Sequence, residues 1–296
     1  MSMTALTIRQ LYTADEILPL MDLQRLVYGD DPALLRLYTL IDIARNGGQV
    51  LAAFEGDLLV GFLVAFLGLD SRDPRRLAMT NLKLVLERIA VHPDYRNSGV
   101  ATQMARHLRE IAMQQGIRLI TYAFNPQDSR AAYLWIGKLG AIAKQYVSDY
   151  YGVTDDEGVL VGSSDRLIAE WWITQNRVDE RLFGKRIRLG LSQYLEAETP
   201  IINPTIEDGD YLVPTAEPIA IPDKQMLLLE IPTNAMTLLQ SAPELAIRWK
   251  QHLRDGLAVL TNHGFVITDF LYTDYEGRTR AFYLFSYDGP QSTIQL

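Results

Sequence analysis

Glu87 has a side chain of the type that could move a proton. It lies in Leu82 to Val91, a segment rich in Leu, Val and Ile that reads as a strand. A carboxylate among apolar neighbours can take a proton from a cationic amine, directly or through water, and can attract that cation beforehand. Strand alternation predicts that Glu87, Ile89 and Val91 share one face. The other reading of Glu87 is a surface or salt-bridged glutamate beside Arg88. Directly downstream, Pro93 and Asp94 break the strand, and Arg96, Gly99 and Ala101 follow in an R-x-x-G-x-A pattern. Val100, Met104, Leu108 and Ile111 then recur at helical spacing, with Gly116 as the stop. The amides of Asn97, Ser98, Gly99, Val100 and Ala101 therefore fall at a helix N-terminus. They have no intrahelical partners and face the positive end of the helix dipole. A diphosphate fits such a place best. Gly99 lets a phosphate oxygen approach the main chain, and Arg96 adds a fixed positive charge.

Several elements must hold these residues. Thr7 to Leu11 predicts a first strand. Thr13 and Glu16 form a capping box for a helix to about Tyr28, with a kink at Pro19. Asp31 and Pro32 are expected to open a second helix, closed by Asn46, Gly47 and Gly48. Gln49 to Phe54 and Leu58 to Phe66 predict a hairpin across Glu55-Gly56-Asp57. After the motif, Ile117 to Phe124 reads as a strand and Asp128 to Leu139 as a helix. Ala141 to Tyr146 and Asp165 to Ile173 read as two more strands. The predicted order is β-α-α-β-β-β-α-β-α-β-β.

This order and the motif resemble the GNAT superfamily of N-acyltransferases. Val91, Pro93, Tyr95, Arg96, Gly99 and Ala101 fall on its acyl-CoA signature, and Lys138-Leu139-Gly140-Ala141 sits where the family has a K-x-G-F-like ending. A P-loop or dinucleotide turn is the competing reading, but the chain has neither G-x-x-x-x-G-K-[ST] nor G-x-G-x-x-G. The resemblance covers roughly the first 170 residues, by strand, turn and helix order. It implies an α/β (α+β) GNAT fold, with a mixed, mostly antiparallel twisted sheet flanked by helices. Residues 1–175 would be the N-acyltransferase domain. The cosubstrate would be acetyl-CoA or another acyl-CoA, with no metal. The diphosphate would lie on Arg96 to Ala101, and the main chain of Ile89, Ala90 and Val91 would bond the pantetheine arm, on a strand that splays from its neighbour. An amide near Ile89 or Ala90 would face the oxyanion. Ser129 stands where the family often has Asn. The usual acid tyrosine is absent, because its position holds Ile136. Tyr133, one turn earlier, is the substitute candidate, with Tyr150 and Tyr151 behind it. The D-S-R, Y-Y-G and S-D-R-L-I-A-E-W-W segments are similar to a bacterial branch associated with acylation of amino acids, including succinyl transfer.

Residues 176–296 differ in texture. Five prolines between Pro200 and Pro222 predict irregular connections. Met226 to Ile231 reads as a strand. Ser241 and Glu244 read as a capping box for a helix carrying Leu245, Trp249, Leu253, Leu257 and Leu260. Phe265 to Tyr272 and Thr279 to Phe285 read as a hairpin. Two readings stay open here: a degenerate second GNAT-like unit without a CoA site, or an unrelated α+β extension.

The formal net charge of −8 in 296 residues argues against a nucleic-acid partner. With no cysteine, disulfides, Cys-ligated zinc and a Cys nucleophile are excluded. His92, His107, His252 and His263 show no metal-ligand spacing. The apolar run Leu58 to Leu69 is too short to span a bilayer, and no targeting segment is visible, so no membrane role and a cytoplasmic location are expected. Arg130, Arg166 or Arg177 could hold a substrate carboxylate, against surface ion pairing as the plainer reading. Trp171 and Trp172 read as packing residues. The expected activity is direct transfer of an acetyl or succinyl group to the amine of a small molecule or amino acid, in a chain that could form a homodimer. The alternative is a noncatalytic acyl-CoA-binding module serving a partner.

Overall fold

The first described element is β1 (Leu6–Gln10), and the capping box that follows is formed as expected. The carboxylate of Glu16 accepts from the amides of Tyr12 (3.1 Å) and Thr13 (3.2 Å) and from Arg9 (2.6 Å). These bonds, with that of Tyr12 the largest, lower its pKa to about 2. Pro19 breaks the expected helix instead of bending it. α1 (Ala14–Ile17) ends at Leu18, and α2 (Pro19–Tyr28) starts with proline at N1, where the missing N–H costs nothing. α3 (Leu37–Arg45) opens at Leu37; the expected start at Asp31 and Pro32 lies outside the described residues. The computed structural model describes residues 6–29, 34–70, 81–152, 164–184 and 188–289.

The chain divides into two compact units. The first comprises residues 1–122 and 172–174, the second 123–171 and 175–296.

In the first unit, β2 (Gln49–Glu55), β3 (Leu58–Leu69), β4 (Leu82–Val91) and β5 (Leu119–Phe124) follow β1 in sheet order. All neighbours are antiparallel except the parallel pair β4–β5. One face carries a core of Leu11, Ile17, Leu20, Leu23, Leu40 and Ala44 against Val50, Ala52, Phe62, Val64 and Ala90. Those apolar positions recur at helical spacing on α2 and α3, so burying them holds these short helices in place. α4 (Val100–Gln114) buries Val100, Met104, Ala105, Leu108 and Ala112 and packs against β1 to β4. Gly61 on β3 permits its close seat. A Cβ there would lie 3.0 Å from a Val100 methyl and 3.1 Å from the Ala90 carbonyl oxygen.

The second unit holds α5 (Ser129–Ala132), a π-helix (Tyr133–Lys138), β6 (Ile142–Val147) and β7 (Arg166–Trp172), then α6 (Asn176–Leu182) and α7 (Leu191–Glu196). β8 (Thr205–Asp208) and β9 (Tyr211–Pro214) form a small hairpin within the proline-rich stretch. β10 (Met226–Ile231), α8 (Ala235–Ser241), α9 (Pro243–Asn262), β11 (Phe265–Tyr275) and β12 (Arg278–Tyr287) complete it. Its strands run in the order β7-β6-β11-β12-β10. The Ser241–Glu244 capping box does not form. Ser241 ends α8, and its hydroxyl donates to the Thr237 carbonyl at 2.9 Å, while α9 starts at Pro243. Asn234 caps α8 instead, accepting from the Thr237 amide. Trp171 is fully buried, with its indole N–H on the Leu139 carbonyl at 2.8 Å. Glu230 and Arg280 are both buried and form a bidentate pair at 2.6 and 2.5 Å.

Candidate acyl-CoA site on the first unit

β4 carries a bulge at Glu87. Arg88 pairs with Val64 and Leu86 with Ala65, so Glu87 stands opposite no residue. This corrects the expected alternation. Ile89 pairs with Leu63, so the extra residue puts Ile89 on the face of Leu86. Glu87 is half-buried and forms no hydrogen bond or ion pair with any described residue. The guanidinium of Arg88 lies over the Tyr28 ring, 5.0 Å from its centroid.

The same bulge marks where β4 leaves its parallel neighbour. The rungs to β5 run from Leu84↔Ile120 to Leu86↔Tyr122 and stop there. Ile89, Ala90 and Val91 therefore continue beyond the last β5 rung, still paired with β3. One of their polar groups is already engaged: the Tyr28 hydroxyl donates to the Ile89 carbonyl at 3.0 Å. No sequence signal pointed to Tyr28, because the contact joins residues 61 apart.

After β4, Pro93–Tyr95 form a single 3-10 turn. Asn97 has φ +63° and Gly99 φ +91°, two left-handed residues that fold the chain back into α4. The first intrahelical bond is Gln103 N–H to the Gly99 carbonyl at 3.0 Å. The amides of Asn97, Ser98, Gly99, Val100, Ala101 and Thr102 donate to no described residue, and no side chain caps the helix. A Cβ built on Gly99 would meet nothing within 4 Å, so no described residue crowds the chain at that point. Arg96 is exposed beside them. An array of unpaired N–H groups at a helix start can take the oxygens of a diphosphate.

The remaining candidates lie in the second unit. Ser129 is 5% exposed, and its hydroxyl donates to the Thr233 carbonyl at 2.5 Å. Tyr133 is in the π-helix, with the Lys138 ammonium 5.1 Å and the Arg188 guanidinium 5.6 Å from its ring centroid. Arg177 does not present a free fork for a carboxylate. It donates to the main-chain carbonyls of Gly140 and Thr268, which ties the end of the π-helix to β11. Arg166 stacks on Tyr151 and donates to the Asp165 carbonyl. Among the described residues, no group of three or more His, Asp or Glu side chains could hold a metal ion, and no helix is long and apolar enough to cross a membrane.

Residues 10–140 match the model of the acetyltransferase (GNAT) family. That segment is a GNAT acetyltransferase domain, and acetyl-CoA is the cosubstrate of the class. The chain matches no curated protein. Among solved structures, the ribosomal-protein-S18-alanine N-acetyltransferase of Escherichia coli is 17% identical, covering 58% of this chain and 96% of that one, at a TM-score of 0.45. NAA60 of Arabidopsis thaliana, in complex with acetyl-CoA, is 13% identical over 57% of this chain and 99% of its own, at 0.47. An N-acetyltransferase of Staphylococcus aureus is 14% identical over 57% and 99%, at 0.45.

Proposed function

We propose that this enzyme transfers an acetyl or succinyl group directly from a CoA thioester to the amine of a small molecule or amino acid, with residues 1–175 as the transfer domain. The observation that carries the reading is the row of unpartnered amides from Asn97 to Thr102, placed just after the segment of β4 that has left β5.

In this reading the diphosphate accepts from those amides, with Arg96 adding charge. Ile89, Ala90 and Val91 bond the pantetheine arm, and an amide of Ile89 or Ala90 polarises the thioester carbonyl. The acceptor amine is mostly protonated at neutral pH and must lose a proton before it attacks. Glu87, unpaired and half-buried, takes that proton directly or through water. The amine nitrogen then bonds to the carbonyl carbon, and negative charge gathers on the carbonyl oxygen. As that charge returns, the carbon–sulfur bond breaks, the nitrogen, cationic since it bonded, gives its second proton to water, and the thiolate takes a proton from water. No covalent enzyme intermediate is required.

The test is release of free thiol from a panel of acyl-CoAs, with and without a broad set of amines and amino acids. Amine-dependent thiol release supports the reading. Tight acyl-CoA binding without thiol release from any amine would instead mark a noncatalytic binding module.

A further inference from the structure

We propose that Tyr95 is a positioning residue for the diphosphate loop, acting through Glu55 of the β2–β3 hairpin. This rests on the acyl-CoA reading of the loop given above.

The loop from His92 to Gly99 is braced within its first half, where the Tyr95 amide donates to the His92 carbonyl at 2.9 Å and the Arg96 amide to the Pro93 carbonyl at 3.2 Å, but its main chain makes no such bond from Asn97 to Gly99. Its main chain turns through two left-handed residues, and its amides from Asn97 onward have no internal partner. Such a segment keeps one shape only if its surroundings hold it, and a ligand gains affinity when the shape is set beforehand. Three contacts tie it to the β2–β3 hairpin. At the entrance, the His92 amide donates to the Val60 carbonyl at 2.9 Å. Val60 is itself the extra residue of a bulge, because Ala53 pairs with Gly61 and Phe54 with Leu59. At the exit, Gly61 seats Val100, the first residue of α4. Between these points, the Tyr95 hydroxyl donates to the Glu55 carboxylate at 2.6 Å.

Among the described residues, this is the one side-chain hydrogen bond that leaves the loop. The others stay inside it: Ser98 Oγ donates to the Tyr95 carbonyl at 2.5 Å, and His92 Nδ1 accepts from the Asp94 amide at 3.3 Å. The Ser98 bond ends on Tyr95, so the residue next to Gly99 is held by the residue that Glu55 holds. The hydrogen bond to Glu55 raises the Tyr95 pKa above its ordinary value, so the phenol stays protonated and remains the donor.

The experiment compares two donors in steady-state kinetics and calorimetry: acetyl-CoA, and an acetyl-pantetheine thioester that lacks the diphosphate. Tyr95→Phe is expected to raise Kd and KM for acetyl-CoA about tenfold with kcat within about twofold, since a hydrogen bond to a charged group is lost. Turnover of the truncated donor should stay within about twofold of wild type. Glu55→Ala should reproduce Tyr95→Phe, and Glu55→Gln, which keeps an acceptor oxygen, should restore most of the affinity. The double variant Tyr95→Phe, Glu55→Ala should be no worse than either single one. Equal losses with both donors would show a merely structural role and overturn the proposal, as would an unchanged Kd. Should Tyr95→Phe fail to fold, Glu55→Ala and Glu55→Gln decide the question from the other end of the bond. If wild-type protein binds no acetyl-CoA, the acyl-CoA reading fails first and the proposal falls with it.

Discussion

The hydroxyl of Tyr28, at the end of α2, donates to the main-chain carbonyl of Ile89 on β4 at 3.0 Å. Ile89 is in the segment proposed to bond the pantetheine arm. The chain thus supplies its own donor to a group that a pantetheine amide would use. Tyr28→Phe removes the competitor and leaves the carbonyl free. A net hydrogen bond contributes about 0.5–1.5 kcal/mol, so acetyl-CoA affinity should rise about two- to tenfold by calorimetry. Weaker binding in Tyr28→Phe would mean that the phenol supports the cosubstrate and does not compete with it.

Gly99 combines φ +91° with open space where a side chain would go. Two separate effects are expected of Gly99→Ala. The left-handed backbone costs about 1–2 kcal/mol in a residue with a Cβ, which lowers Tm by a few degrees. In the acyl-CoA reading, the added methyl also keeps a phosphate oxygen from the main chain at Gly99 and should weaken acetyl-CoA at least about tenfold, in proportion to amide–phosphate bonds lost. The two are separated by measuring Tm without ligand and Kd by calorimetry. A variant that shows the Tm change with unaltered Kd would place the diphosphate elsewhere.

Glu87 is displaced by a bulge and has no described partner, so its removal breaks no ion pair. Glu87→Gln should keep the fold and the acetyl-CoA Kd while lowering kcat about 10²-fold, the scale of a general base. The loss should shrink as pH rises and more of the acceptor amine is already neutral. A kcat equal to wild type at every pH would exclude Glu87 from the proton transfer.

His252 on α9 gives a stability prediction in the second unit. Its Nε2 is buried without a partner among the described residues. Burial lowers its pKa, against a smaller opposing effect of Asp255. The unfolded chain therefore takes up the proton first as pH falls below the ordinary value of about 6.5. In that range the unfolded state binds more protons, so this residue makes stability fall with falling pH. Thermal melts at pH 7.5 and 5.5 should show a larger drop in wild type than in His252→Gln. Equal drops would show that the ring protonates without strain in the fold.

The parts of the site that were legible in the sequence are those set by local geometry. Pro93, Asp94 and Gly99 fix where the strand ends and the helix begins, because proline and left-handed glycine act on their own backbone. The unpaired amides follow from that, since the first turn of any helix lacks internal acceptors. The Thr13–Glu16 box was readable for the same reason. Where two local signals competed, the reading failed. Ser241 and Glu244 have the spacing of a box, but Asn234 starts a helix seven residues earlier that absorbs Ser241, and Pro243 begins the next.

Tertiary structure alone decided what those groups face. The bulge at Glu87 exists because β3 and β4 pair out of step there, and one strand's sequence carries no record of its partner's register. The contacts Tyr28–Ile89 and Tyr95–Glu55 join residues 61 and 40 positions apart. Side chains that distant meet only when packing of the core has brought their elements together. Backbone conformation near a proline or glycine is a property of a few neighbouring residues, so it is written locally. Partnership across a sheet depends on how whole elements bury their apolar faces, so it is settled only in the folded chain.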